Sequence, residues 1–502
     1  MNTTTIKDMI QMELDGVYGA DLLRELNEII EYYNIYEGNE DKVYQDIFID
    51  EEWSMDFDVT KKKHNFIQEL LNKANRFMFS NSPTIECVND ENDTQLTKFV
   101  GKVLKANKFG GKLKKAELDC SIGKRVAIKL AYDRHNKKIR FRFVNSLEFV
   151  YETELDDTES IKKVFFFYQI NSAEEKEKQR IYRQKYEMIN GQCWMSEHIY
   201  NGNGEVLTEI RKFSKIGLDF MPVYVITNGG LTGDLLGTSE VPKLIDDQKD
   251  YNRLDSGDTD ALIKGMFESI YGIDLSNDSA KTIKKAPGMF YDLQTDPAVR
   301  DNDGGKGAIG VLSYNFKYQL ALEKKLLRNK LSMYSALDIP LVTPAELQGF
   351  VTSGKGLTCL YWDLIIRCND KMNCDWAPAL EWLTEKIIEI AKMYELEDLP
   401  DYDFDVVVTP NYALPDDIQA QTELDIAKVN AQVMSRVDFI QKYDEVSEEQ
   451  AEETLAKIVD ETQQLETSVS IPDINGDTST INDTEDDEEL DNIEGSGTGY
   501  GK

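Results

Sequence analysis

Apolar residues recur at helical intervals over most of this chain and switch to strand intervals in its second quarter. The clearest stretch begins at Tyr314. Phe316, Leu320, Leu327, Leu331 and Tyr334 follow one another at steps of four, seven, four and three, while Lys324, Lys325, Arg328 and Lys330 take other faces. That is the pattern of an amphipathic helix. It stops at Asp338-Ile339-Pro340, since a residue before proline is pushed out of the α region, and Pro344, Gly349, Gly354 and Gly356 keep the next residues irregular. Helical spacing returns at Leu357 and runs through Leu360, Leu364, Cys368 and Met372 to Trp382, Ile387, Ile390 and Tyr394. Pro378 lies inside that run. Its ring removes a donor and clashes with the preceding turn, so the long helix should kink or break there.

Ahead of this stretch, residues 6–37 carry two helical patterns, the second marked by Leu22, Leu23, Leu26, Ile29 and Ile30. Thr60 to Phe79 reads as a third helix with Phe66, Leu70, Ala74 and Phe77 on one side; Lys61, Lys62 and Lys63 then form its solvated end, and His64 is a surface or packing residue. From Arg125 to Thr227 the period is that of strands, with Asp133-Arg134-His135-Asn136 and Asn201-Gly202-Asn203-Gly204 as turns, so an antiparallel β-rich unit is expected. Lys129, Arg140 and Arg142 fall on its polar alternation, which predicts a solvent face.

Helical steps resume through Val241, Leu244, Ile245, Tyr251, Leu254, Leu262 and Ile263, with Ser239 placed to cap and Glu240 and Pro242 in the first turn. The Asp255–Asp260 run lacks the twelve-residue pattern of a calcium loop and reads as exposed helix charge. Residues 266–313 break into short apolar pieces around Pro287, Pro297 and a turn at 303–306, a small strand-rich insertion between two helices. Beyond the long helix come a strand at Phe404 to Thr409, ended by Pro410, and a helical region from Ile418 to Glu466. The tail from 467 is too polar to offset the entropy of ordering and is expected to be disordered. The predicted class is α+β.

A chain of 502 residues holds two to four compact units. No run approaches the roughly 18 to 20 apolar residues of a membrane span, and no membrane partner is expected. The first residues have no basic stretch and apolar core of a secretory signal, so synthesis should end in the cytosol. Cys87, Cys120, Cys193, Cys359, Cys368 and Cys374 form no close pair, and with only three histidines neither a zinc site nor any other cofactor is indicated; reduced, mostly buried thiols are expected. The net charge of −35 includes ten carboxylates and no base between Asp473 and Glu494. Such a chain binds nucleic acid weakly through phosphates, yet it can surround DNA without sticking to it.

Gly349-Phe350-Val351-Thr352-Ser353-Gly354-Lys355-Gly356 matches a nucleotide phosphate loop except that Gly356 stands where a magnesium-binding hydroxyl belongs. Pro344 in the preceding residues also argues against the buried strand that comes before such a loop. No nucleophile elbow, HExxH helix or CxxC framework is present, so no catalytic set is assigned.

The order of parts resembles the portal proteins of tailed double-stranded DNA phages, of the siphophage type. The stretches that carry the resemblance are KANRFMFSNSPTIEC from Lys73 and GTSEVPKLIDDQKDYNRLDSGDTDALIKG from Gly237, within a likeness over residues 20–460. It implies a wing from 1–240, β-rich over 125–227, and from 338–415; stem helices at 241–265 and 314–337; and a clip at 266–313. A crown at 416–466 and the acidic tail at 467–502 complete it. Within 338–415, residues 338–356 become a tunnel loop that offers Gln348, Thr352, Ser353, Gly354, Lys355 and Gly356 to DNA, and 357–396 a long helix kinked at Pro378. The resemblance further implies a virion location at the capsid vertex and a homo-oligomeric ring, usually of twelve. Its partners would be the packaging terminase, a head-completion adaptor, and the major capsid and scaffolding proteins. A nucleotide-dependent enzyme built on the 349–356 loop, or a virion protein without a channel, are the competing readings.

Overall fold

The computed structural model describes residues 19–45, 59–89, 94–157, 159–171, 173, 175–266, 269–273, 308–312, 315–341, 358–412, 418–444 and 448–468. The chain mixes helices with antiparallel sheets and divides into two compact units, 1–415 and 416–502. In the first unit, α1 (Gly19–Glu37) and the single-turn α2 (Asp41–Tyr44) precede α3 (Phe66–Phe79), β1 (Thr84–Val88), α4 (Gln95–Ala106) and α5 (Phe109–Gly123). α3 starts six residues later than the apolar spacing from Thr60 suggests. Asn65 caps it by accepting from the Gln68 amide at 3.0 Å, and the residues before Asn65 run extended because their amides are claimed by another helix. Lys61 to Lys63 are therefore not a helix end.

Two sheets come next. β2 (Arg125–Asp133) is the centre of a three-stranded sheet, between β3 (Lys138–Asn145) and β9 (Val223–Thr227), both antiparallel to it. β4 (Phe149–Thr153), β5 (Ile161–Gln169), β6 (Ile181–Ile189), β7 (Gln192–Tyr200) and β8 (Val206–Lys215) form a five-stranded meander in chain order. The expected solvent face of β2 is corrected at Lys129. Its ammonium lies 4.7 Å from the ring centre of Phe166 and 5.4 Å from that of Tyr168, and it donates to Gln184. Burial, with Arg142 adding repulsion, lowers its pKa to about 8. Arg140 and Arg142 do stand out into solvent.

After α6 (Pro242–Met266), strands β10 (Ser269–Ile273) and β11 (Ala308–Leu312) pair antiparallel and lead to α7 (Gln319–Ser335). The long helix of the sequence pattern is α8 (Trp362–Lys371), a π-helical turn (Met372–Trp376) and α9 (Ala377–Met393). Pro378 sits in the first turn of α9. With no N–H to give, it is accommodated directly after the wider turn. β12 (Asp405–Thr409) then pairs with β1, Thr84 opposite Thr409. The core gathers Leu70, Phe79, Leu113, Val126, Phe166, Trp376, Leu383 and Ile387, all buried. A buried, two-pronged ion pair, Arg125 to Glu25 at 2.5 and 3.2 Å, joins α1 to β2.

The second unit contains α10 (Ile418–Asn430), α11 (Arg436–Asp444) and α12 (Glu448–Ser468). The buried carboxylate of Asp425 accepts from Lys428 at 2.9 Å, Lys442 at 2.6 Å and Tyr443 at 3.1 Å, which fixes α11 against α10. α12 continues two residues into the tail expected from 467; residues 469–502 lie outside the described ones.

Candidate functional site

α6 and α7 form an antiparallel pair. Lys325 reaches Asp250 at 3.3 Å, the Tyr318 hydroxyl donates to Asp258 at 3.1 Å, and the Phe316 ring lies across Gly265. A Cβ on Gly265 would stand 2.2 Å from that ring, so only glycine admits so close an approach. The 25 residues of α6 make a rod of about 37 Å at 1.5 Å per residue.

A second face of α6 is occupied by residues 60–66, the non-helical approach to α3 and its first residue. Asp260, Ser256, Asn252 and Gln248 accept from the amides of Thr60, Lys62, His64 and Phe66 at 3.0, 3.0, 3.1 and 2.8 Å. The match has a simple cause. Four helical residues rise about 6 Å and two extended residues about 6.6 Å, so side chains at i, i+4, i+8 and i+12 meet every second amide. Asn252 and Gln248 also donate to the His64 carbonyl, each at 3.0 Å. Asp255 stands beside this ladder and binds Lys62 at 3.1 Å and the His64 ring at 2.9 Å. The Asp255–Asp260 run is thus not simply exposed charge: Ser256 and Asp260 are buried against backbone.

The middle of the apolar stripe of α7 is open to solvent, although Tyr334 at its end is buried. Leu320, Leu327 and Leu331 are 67%, 52% and 45% exposed. The buried residues are Asn329, Met333 and Tyr334, and Asn329 lies half a turn round the helix from the three leucines. Tyr334 is held by Lys73 at 2.7 Å and Glu69 at 3.1 Å, fastening α7 to α3. Near its far end α6 likewise exposes Leu262, Ile263 and Met266. α7 carries four bases against one acid, and α6 six acids against four bases. The pair therefore has a basic, leucine-striped side and a more acidic side.

Where α6 begins and α7 ends, charges are buried together. Lys371 of α8 donates to Glu117 and Ser121 of α5, both at 2.8 Å, and lies 3.7 Å from Glu240. Arg367 meets Glu240 at 2.7 Å and Asp338 at 4.0 Å, and Lys243 reaches Glu240 at 2.7 Å. Burial would raise the pKa of Glu240, but Lys371, Arg367 and Lys243 bring it down to about 2. Ser239, the expected cap, accepts from the Val241 amide at 3.2 Å, so it orders the approach to α6 rather than its first turn. Asp338 closes α7 in the left-handed region at φ 56°, with the Ile339 amide returning to the Tyr334 carbonyl at 3.0 Å. A cleft of about 460 Å³ opens beside the cluster, lined by Asn228, Gly229, Glu240, Asp338, Arg367 and Lys371.

Asp375, on the π turn, is the uncompensated member. Burial lifts its pKa to about 6, against the weak bond from the Gly229 amide at 3.3 Å and the pull of Lys371. Because the folded carboxyl holds its proton more tightly than the unfolded one, ionisation costs stability as pH rises from about 4 through 6. Asp375→Asn is therefore expected to stabilise the chain by about 1–3 kcal/mol at pH 8 and to change nothing below pH 4, read from denaturant unfolding at both.

Of the residues assigned to function from sequence, Gln348, Thr352, Ser353, Gly354, Lys355 and Gly356 lie outside the described residues, and Pro378 comes just after the π turn. The chain on either side of 342–357 leaves the charge cluster at Asp338 and returns to it at Arg367 and Lys371. Sequence reasoning missed that cluster, the ladder on α6, and α4 and α5 altogether. The last were readable: Leu96, Phe99, Val100 and Val103 stand at helical steps. Among the described residues no group of three His, Cys, Asp or Glu could hold a metal ion, and no helix is long and apolar enough to cross a membrane.

The family described as phage portal protein, SPP1 Gp6-like, matches residues 15–465. No curated protein matches the chain.

Proposed function

Because the chain belongs to the SPP1 Gp6-like family of phage portal proteins, a structural family, we propose that its copies close into a ring that lets double-stranded DNA into and out of the capsid. The observation that carries this reading is the leucine stripe of α7, left open to solvent in the single chain. A basic, leucine-striped helix on one side of the pair and an acidic neighbour on the other suit a head-to-tail contact, which generates rings when its rotation closes. Twelve copies is the expected number. In this reading 241–265 and 314–337 are stem, 266–313 the clip that meets the terminase and then the head-completion adaptor, and 416–466 the crown. Residues 1–240 and 338–415 are wing, set in the vertex against the capsid and scaffolding proteins.

The loop at 338–356 then faces DNA, with Lys355, Thr352 and Ser353 making a limited contact to the passing backbone, and Gln348, Gly354 and Gly356 beside them. Acidic surroundings keep the duplex mobile. The protein supplies no catalysis of its own; the motor is a separate ATPase. Packaging into heads carrying Lys355→Ala tests the assignment: slower filling, a changed packaged length or poorer retention is expected, and heads that match wild type in all three remove Lys355 from the DNA path.

A further inference from the structure

Between Gln95 and Ala116 the chain carries seven lysines and no acidic residue, in a protein of net charge −35. Lys98, Lys102 and Lys105 of α4 stand at steps of four and three, and Lys108, Lys112 and Lys115, at the start of α5 and along it, repeat those steps. Lys98, Lys102, Lys105, Lys108 and Lys115 are exposed, while Leu96, Phe99, Val100, Leu113 and Ala116 are buried on the other side. Lys98, Lys105 and Lys108 are exposed and make no ion pair among the described residues; Lys102 meets Glu397 in an exposed pair at 3.3 Å. Lys112 bonds the Phe141 carbonyl at 2.7 Å. Burial and then the charges of Arg140 and Arg142, themselves paired with Asp133 and Glu148, push its pKa down. The helix surface beside each row is open: a Cβ on Gly101 or Gly111 would meet nothing within 4 Å.

We infer that this face of α4 and α5 is a contact for the phosphate backbone of duplex DNA, separate from residues 338–356. It rests on the reading of the protein as a DNA conduit for the identity of its ligand. The composition selects that ligand. Protein interfaces are anchored by aromatic residues and arginine and are depleted in lysine at their core, and base readout needs arginine, asparagine or glutamine forks. Along the two helices the exposed positions are mainly lysine, glycine and alanine, and the neighbouring Arg140 and Arg142 are engaged by Asp133 and Glu148. Ammonium groups keep much of their water and act as point charges, which suits a contact that registers phosphate without gripping one sequence. The repulsion from the rest of the chain confines the duplex to this face.

The test is binding of a short blunt-ended DNA duplex to the full-length assembled protein by fluorescence anisotropy over a salt series. Wild type is expected to bind at low salt and to weaken steeply as salt rises. The variant K98E/K105E/K108E/K115E is expected to lose at least about tenfold in affinity and to flatten the log–log salt slope by about 3 to 4, roughly one unit per lysine. K98Q/K105Q/K108Q/K115Q, which removes charge without repulsion, should fall in between; circular dichroism and assembly size confirm that both fold. No binding by wild type, or unchanged slopes in both variants, overturns the inference. Binding that survives both and is lost on Lys355→Ala also overturns it while leaving the conduit reading intact. Displacement of the duplex by polyglutamate at equal charge concentration would assign the face to an acidic protein instead.

Discussion

Exchanging Leu320, Leu327 and Leu331 together for serine is expected to abolish ring closure and leave the protomer folded. The reason is where these side chains stand. They project from α7 on the side away from Asn329 and Met333, which pack into the chain, and they are about half exposed or more in the single copy. No described part of the chain takes their apolar surface out of water, and in the proposed ring the neighbouring copy does so. At about 25 cal/mol per Å² each half-exposed leucine contributes on the order of 1 kcal/mol per contact, so the triple change takes roughly 3 kcal/mol from every subunit junction. A closed ring loses that at each of its junctions. Serine is only slightly poorer than leucine in a helix, so the intrachain cost is small. Sedimentation should show protomers or short open arcs, with thermal unfolding within a few degrees of wild type. Intact rings, or a large fall in stability, would each mean that the stripe is covered from within the chain.

The largest effect on stability is expected from Lys371→Met. Its ammonium is the partner shared by Glu117 and Glu240, and its side chain is 13% exposed. Without it, Glu117 keeps only the Ser121 hydroxyl at 2.9 Å, while Glu240 retains Arg367 and Lys243. Removing one partner of a buried pair costs about 3–5 kcal/mol, because the other charge stays behind. The double change K371M/E117Q should recover part of that loss. The acid limb moves as well. Glu240 has a folded pKa near 2, below the ordinary value of 4.5, so it adds stability in full above about pH 4.5 and loses it as pH falls toward 2. In Lys371→Met the folded pKa of Glu240 rises toward the ordinary value, so that loss should be smaller and be complete at a higher pH. Equal unfolding free energies for wild type and Lys371→Met would show that the cluster does not hold the start of α6 to α8.

The fold was legible where one periodicity held over a long window. Apolar alternation gives strands within 125–227, though not β4, β7 and β8, and helical steps give the helix of 241–263. The ladder on α6 was not legible. Gln248, Asn252, Ser256 and Asp260 are polar residues at helical steps, the same signature as a solvated face, and only residues 60–66 lying on them turn those side chains inward. The start of α3 was misplaced for that reason too. Lys129 alternates like a surface residue, yet the five-stranded sheet covers it. The charge cluster draws Glu117, Glu240, Arg367 and Lys371 from three distant segments, so no local pattern contains it. The α7 stripe shows the converse: spacing gives the stripe, and no described segment of the chain covers Leu320, Leu327 or Leu331.

Electron cryomicroscopy of the assembled protein tests the conduit most directly. The expected image is a ring around a central opening walled by successive α6–α7 pairs, with Leu320, Leu327 and Leu331 of each copy seated against α6 of the next. An assembly without an axial opening, or an opening lined by other elements while the leucines stay in solvent, would contradict it.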